Sequence, residues 1–210
     1  MDEPLSLSEL ERDALKEIMN IGFGRAAATL SDVIDLHVLL SIPRIEILPA
    51  ADVFSFIGNE MNDGDRFFVI EQYFLGTLKG ASYLFFPERE GTRLVRILSE
   101  QDEPYSNQRE FDELLREMVL EIGNIIIGAC VGKIAELLGN TVTYQPPRCV
   151  SLTDKPHDGT YQFAGSVILL FQTVFSFEKE NVRGFLFIAT AESSLKWIRE
   201  AVDAFIRRVT

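Results

Sequence analysis

Two short stretches, "EIMNIGFG" from Glu17 to Gly24 and "EIGNIIIG" from Glu121 to Gly128, place a carboxylate, an amide and a bare backbone in the same order and at the same spacing. Each is preceded by a further acid four residues upstream, Asp13 in the first and Glu117 in the second. An asparagine amide is neither a nucleophile nor a useful base, but its oxygen accepts and its N–H2 donates, so it can hold a water in line with a reacting atom. A glutamate one turn away can pair with a partner's cation, and a glycine one turn further on leaves room for close approach. At about 100° per residue, Asp13, Glu17, Asn20 and Gly24 share roughly a 60° arc of a helix, and so do Glu117, Glu121, Asn124 and Gly128. A lone acid and asparagine would read as a solvated helix face. Repetition in register, with asparagine kept mid-helix where its propensity is poor, argues for a site.

Other readings of the same residues are weaker. Gly22, Gly24 and Ala27 form G-x-G-x-x-A, the outline of a dinucleotide-binding turn, but the second stretch has Ile126 and Val131 at the matching places. Such a turn also needs a strand before its glycines, and "LERDALKEIMNI" is charged and helical in period. "GACVGK" fails as a phosphate loop because Ile127 replaces its first glycine and Ile134 its Ser or Thr. The two histidines, His37 and His157, align with Thr141 and Val53, so neither belongs to a repeated metal site or base. Cys149 and His157 could form a nucleophile pair, yet nothing around them supports it; core or surface roles fit better.

The elements that must carry these residues are themselves repeated. Shifting the chain by 104 residues aligns Glu17 with Glu121, Asn20 with Asn124, Gly24 with Gly128, Pro43-Arg44 with Pro147-Arg148 and Gly80 with Gly184. Two copies of one unit, 1–104 and 105–210, then make a single domain with a pseudo-twofold. In each copy a helix comes first. Ser8 is its expected N-cap in copy one, with Glu9 and Glu11 in the first turn and Leu10, Ala14, Ile18 and Ile21 as the buried stripe. Copy two repeats the pattern with Leu114, Met118, Ile122 and Ile125. Pro43 and Pro147 open extended segments, "PRIEIL" and "PRCVSL". Two aromatic and β-branched runs follow, joined by short connections such as "EKEN", and then a last helix. The fold class is mixed α and β (α+β), a central sheet from both halves covered by paired long helices.

Composition narrows the partners. At 210 residues with 47% hydrophobic content the chain can bury a large core. Its formal charge of −12 disfavours nucleic acid and anionic membranes. The apolar runs around Val167 to Phe171 and Phe185 to Ala191 are strand-sized, so no membrane insertion is expected. Two cysteines and an acidic start, "MDEPLSLSELERD", suit a reducing cytoplasm.

The full pattern, acid or Ser, then Glu after three residues, Asn after two more and Pro after a further twenty-two, resembles that of the CheC/CheX/FliY family of chemotaxis phosphatases. Asp13, Glu17, Asn20 and Pro43 match it; Glu117, Glu121, Asn124 and Pro147 match it with Glu in place of the usual Asp or Ser. Two copies in a chain of this length resemble the CheC-type members. The resemblance implies hydrolysis of the aspartyl phosphate on the response regulator CheY. Asn20 and Asn124 would position the attacking water, and Glu17 and Glu121 would pair with the receiver's active-site lysine. Asp13 and Glu117 would reinforce the local charge. The magnesium would belong to the receiver, and the chain would need no cofactor of its own. The receptor-modifying CheD is a further partner the family implies, and the internal twofold favours a monomer. The competing reading is a non-catalytic module that binds or sequesters phosphorylated receiver or signals through CheD. A nucleotide-dependent small-molecule enzyme is a distant third.

Overall fold

Ser8 closes the first helix, α1 (Glu9–Ile34), with a reciprocal cap: its hydroxyl accepts from Glu11 N–H at 3.2 Å while the Glu11 carboxylate accepts from Ser8 N–H at 2.7 Å. The far end stops at Asp35, whose φ of 57° is the left-handed turn that short polar residues tolerate. This computed structural model describes residues 7–61, 66–98, 108–150, 167–177 and 182–209. The expected boundary at 104/105 and the "EKEN" connection lie outside them.

The buried set of α1 is Leu15, Ile18, Met19, Phe23, Ala26 and Leu30; Ala14 and Ile21 are half-buried, and Leu10 is 63% exposed. The expected stripe through Leu10 is therefore displaced. The helix packs against a second long helix, α4 (Gln108–Leu137), as well as against the sheet, so Met19 and Phe23 are drawn inward instead. α4 also corrects the expectation that nothing approaches membrane-span length. Asp112–Leu137 is long and apolar enough by composition, and half of its most apolar window is buried against the rest of the protein. Its apolarity is explained by packing on two sides, on α1 and on the sheet. Gly123 permits the second contact: a Cβ there would stand 3.0 Å from the Ile70 side chain.

The strands are β1 (Val38–Leu40), β2 (Arg44–Pro49), β3 (Phe67–Gly76), β4 (Gly80–Pro87), β5 (Val142–Tyr144), β6 (Arg148–Val150), β7 (Val167–Phe177) and β8 (Val182–Thr190). They form one antiparallel sheet in the order β1-β7-β8-β4-β3-β5, with β2 continuing the β1 edge along β7 and β6 continuing the β5 edge along β3. The order reads the same when first-half and second-half strands are exchanged. Each half thus gives its short strands to the other half's long strand.

Helices α3 (Glu88–Leu98) and α5 (Glu192–Val209) join α1 and α4 on one face, over Ile70, Phe74, Leu84 and Phe175. The other face carries a smaller core of Tyr73, Tyr83, Phe85 and Phe187 under α2 (Val53–Glu60). The sequence reading had neither α2 nor the three-residue strands β1 and β5.

Register shows where a constant shift fails. Leu40 faces Phe175 and Tyr144 faces Phe74, so Phe74 corresponds to Phe175, an offset of 101 and not 104. The offset returns to 104 in β8, because Phe74 faces Gly80 but Phe175 faces Gly184. The second hairpin is three residues longer, and it slides β7 relative to its own helix.

Candidate functional site

The two motifs occupy the outward faces of α1 and α4. Asp13, Glu17, Asn20 and Gly24 are all exposed, as are Glu117 and Glu121; Asn124 and Gly128 are half-buried. Asp13 contributes a loose ion pair to Lys16 at 3.8 Å on its own helix. Pro43 is buried and Pro147 half-buried, each immediately before the short strand β2 or β6. Each opens the edge strand that follows it.

The structure does not bring the two strips together. Arg12 of α1 donates to the Ile45 carbonyl of β2 at 2.9 Å, and Ser31, near the other end, accepts from Val38 N–H of β1 at 3.0 Å. α1 therefore runs counter to its edge strands, α4 does likewise with β5 and β6, and the two edges run in opposite directions. The helices are antiparallel. Gly22 lies against Ile134, which puts Asn20 level with residue 136 and about 18 Å along the axis from Asn124. These are two separate surfaces.

The glycines divide by what surrounds them. A Cβ at Gly22 would meet Leu137 Cδ1 at 3.3 Å, so Gly22 serves the helix–helix contact. A Cβ at Gly24 or at Gly128 would meet nothing within 4 Å. No packing among the described residues asks for glycine there, although glycine mid-helix costs about 1 kcal/mol relative to alanine.

The asparagines also differ. Asn20 makes no side-chain hydrogen bond to any described residue, whereas Asn124 Oδ1 accepts from Gln72 Nε2 at 2.8 Å. Next to Asn124, the Tyr144 hydroxyl donates to the Gly128 carbonyl at 3.2 Å. Burial, with a smaller contribution from Cys130, pushes that phenol up to about 12, so it is a donor at any physiological pH. Its first-half counterpart, Leu40, can make no such bond. Gln72 and Tyr144 were not foreseen from the sequence. At a shift of 104 Gln72 falls opposite Ser176, whereas the strand register makes Thr173 its counterpart, so it is the pairing of β5 with β3 and of β1 with β7 that finds it.

Elsewhere the chemistry is structural. The Cys149 thiol is pushed up by burial, against smaller lowering effects of Arg116 and Val69 N–H, the reverse of what a nucleophile needs; His157 lies outside the described residues. Glu71, 3% exposed, accepts from Tyr73 Oη at 2.7 Å and from Arg148 at 2.6 Å, tying β3 to β6. In the first half Arg44 and Gln172 instead share Glu60 of α2, at 3.0 and 2.9 Å. Among the described residues no group of three or more His, Cys, Asp or Glu could hold a metal ion.

The chain is similar to known proteins in sequence and in fold. A model of the CheC-like family matches residues 10–47, which hold the whole first motif through Pro43. The flagellar motor switch phosphatase FliY of Bacillus subtilis is 23% identical over 165 residues, which is 76% of this chain and 42% of that protein. The CheY-P phosphatase CheC of the same bacterium is 23% identical over 133 residues, 62% of this chain and 61% of its own length. The chain thus spans roughly half of these relatives. Among solved structures, Thermotoga maritima FliY superposes with a TM-score of 0.69 at 19% identity, covering 96% of this chain and all of that one. CheX in the CheX-CheY-BeF3-Mg2+ complex of Borrelia burgdorferi gives 0.55 at 14%, covering 83% and 98%. The FliM middle domain of Helicobacter pylori gives 0.55 at 10%, covering 93% and 99%. The fold is the one these proteins share, and the resemblance to the CheC/CheX/FliY family is present in sequence and in structure.

Proposed function

We propose that this chain is a phosphatase acting on the aspartyl phosphate of a CheY-like receiver, with one site on α1 and one on α4. The observation that carries the reading is the pair of outward strips, Glu17-Asn20-Gly24 and Glu121-Asn124-Gly128, at whose glycines a Cβ would meet no described residue within 4 Å. The names of the two curated relatives, and a structural neighbour solved together with CheY, support it.

The residues fit the chemistry. Phosphoryl transfer asks a protein mostly for positioning and electrostatics, and a carboxamide that orients water does this in other phosphohydrolases. Asn20 or Asn124 enters the receiver's phosphorylation pocket and orients the attacking water. Glu17 or Glu121 pairs with the lysine there, and Gly24 or Gly128 lets the helix come close. The magnesium ion is the receiver's. CheD, a monomeric state and a cytoplasmic setting belong to the same proposal. A second reading, a receiver-binding module without turnover, is favoured by the equal likeness to FliM, since the fold alone does not mark a phosphatase.

Phosphate release from a CheY phosphorylated with acetyl phosphate separates the two. Turnover is expected from wild type, reduced in Asn20→Ala and in Asn124→Ala and abolished in the double variant. A double variant as fast as wild type overturns the mechanism; receiver binding without any acceleration in wild type supports the module.

A further inference from the structure

The bond between Gln72 and Asn124 has a direction that the surrounding backbone dictates. Gln72 is 2% exposed, and its Nε2 lies 3.1 Å from the Gln145 carbonyl as well as 2.8 Å from Asn124. A carbonyl oxygen only accepts, so the atom of Gln72 facing it must be the nitrogen. That residue is itself held, because Gln145 N–H donates to the Tyr73 carbonyl at 3.0 Å. Both hydrogens of the Gln72 amide are then used, one on Gln145 and one on Asn124. Asn124 must therefore turn its Oδ1 inward, which leaves its N–H2 facing out of the protein.

The first half keeps the anchor and lacks the extension. Ser41, the counterpart of Gln145, donates its N–H to the Val174 carbonyl at 2.8 Å, and its carbonyl accepts from Thr173 Oγ1 at 2.8 Å. Thr173 has one hydroxyl proton, and the Ser41 carbonyl takes it. Thr173 then has no proton left for Asn20, and a threonine is two atoms shorter than a glutamine. Asn20 is left to rotate.

We propose that Gln72 is a positioning residue that presets Asn124 as a hydrogen-bond donor, so that the second site is pre-organised and the first is not. This rests on the phosphatase reading above. A preset N–H2 fixes the attacking water by donating to its oxygen, or donates to a phosphoryl oxygen; in either case its orientation need not be found again in each encounter.

The test isolates the second site in Asn20→Ala and compares it with Asn20→Ala/Gln72→Thr. Threonine retains the bond to residue 145, as Thr173 does in the first half, and releases Asn124. Phosphate release from acetyl-phosphate-treated CheY is expected to show kcat about three- to tenfold lower with KM unchanged, the cost of ordering one side chain. An unchanged kcat, or an Asn20→Ala chain without turnover, overturns the inference while leaving the phosphatase reading in place. That reading fails separately, if Asn20→Ala/Asn124→Ala keeps the full rate. Amide exchange by NMR on the unaltered protein gives a second readout that needs no variant. Slow exchange of the Gln72 side-chain N–H2 with fast exchange of that of Asn124 is expected, and the opposite pattern overturns the proposed orientation.

Discussion

Gly22 lies against Leu137 across the two long helices, with 3.3 Å between the leucine methyl and the place a Cβ would occupy, whereas two residues on, on nearly the opposite side of the helix, a Cβ at Gly24 would meet nothing within 4 Å. Neighbouring glycines in one helix thus answer to different constraints. Gly22→Leu is expected to cost about 2 kcal/mol through overpacking between α1 and α4. Gly24→Leu is expected to stabilise the chain by about 0.5–1 kcal/mol, since only helix propensity changes. If Gly24 faces a partner, the same Gly24→Leu chain loses about tenfold in receiver binding from the clash. Urea unfolding and titration with CheY measure the two effects, and a Gly24→Leu chain that both unfolds earlier and binds normally contradicts the assignment.

Much of this was legible in the sequence because it is local. Ser8 and Glu11 form the cap their types announce, and the long strands β3, β4, β7 and β8 lie where their aromatic runs lie. The Glu and Asn positions were read from repetition alone. The residues that escaped are those set by tertiary register. Gln72 reaches Asn124 across 52 positions of chain, and only the sheet pairing shows that Thr173 is its partner in the repeat. Leu10 failed for a related reason: one helix has several apolar arcs, and which is buried depends on where α4 and the sheet stand.

The arginines that follow the two motif prolines are predicted to differ in weight. Arg148→Ala leaves Glu71 buried without its guanidinium partner, with the phenols of Tyr73 and Tyr83 beside it. Losing one member of a buried pair is expensive, and the arginine's own 43% exposure moderates it, so about 2 kcal/mol is expected. Arg44→Ala leaves Glu60 28% exposed and still bonded to Gln172, and should cost below about 1 kcal/mol. Equal losses in urea midpoints would show that the two clusters are not built as described.

Acid should find two of these contacts. The Glu60 carboxyl is held below its ordinary value by the Gln172 amide, against burial and with help from Arg44. For Glu11 burial acts upward, but Ser8 N–H, the Ser8 hydroxyl and Arg199 together bring it below the ordinary value. A group whose folded pKa lies below its unfolded one stabilises fully above the unfolded value and loses that contribution as pH falls through the folded one. The window runs from about pH 5 to below 4. Relief of repulsion among the excess acids acts the other way over the same range, so the informative quantity is a difference. Arg44→Gln/Arg199→Gln is expected to bring the urea midpoint down at pH 7 and to approach wild type as pH falls below the ordinary carboxylate range, and parallel curves would rule the linkage out.

The charge of −12 makes Glu17 and Glu121 testable in an unusual way. Docking onto an acidic receiver brings like charges together, and salt screens that long-range term over a Debye length of about 10 Å at 0.1 M. On the proposed docking a glutamate would meet the receiver's lysine at close range, where water is displaced and salt penetrates poorly. For wild type, kcat/KM is therefore expected to rise as salt increases from about 10 to 150 mM, opposite to a reaction steered by complementary charge. Glu17→Gln/Glu121→Gln reduces the net negative charge by two, which should help if global charge governed the encounter. If the lysine contact governs it, the double variant falls about tenfold in kcat/KM at every salt concentration. A double variant faster than wild type at low salt would show that these glutamates serve only as surface charge.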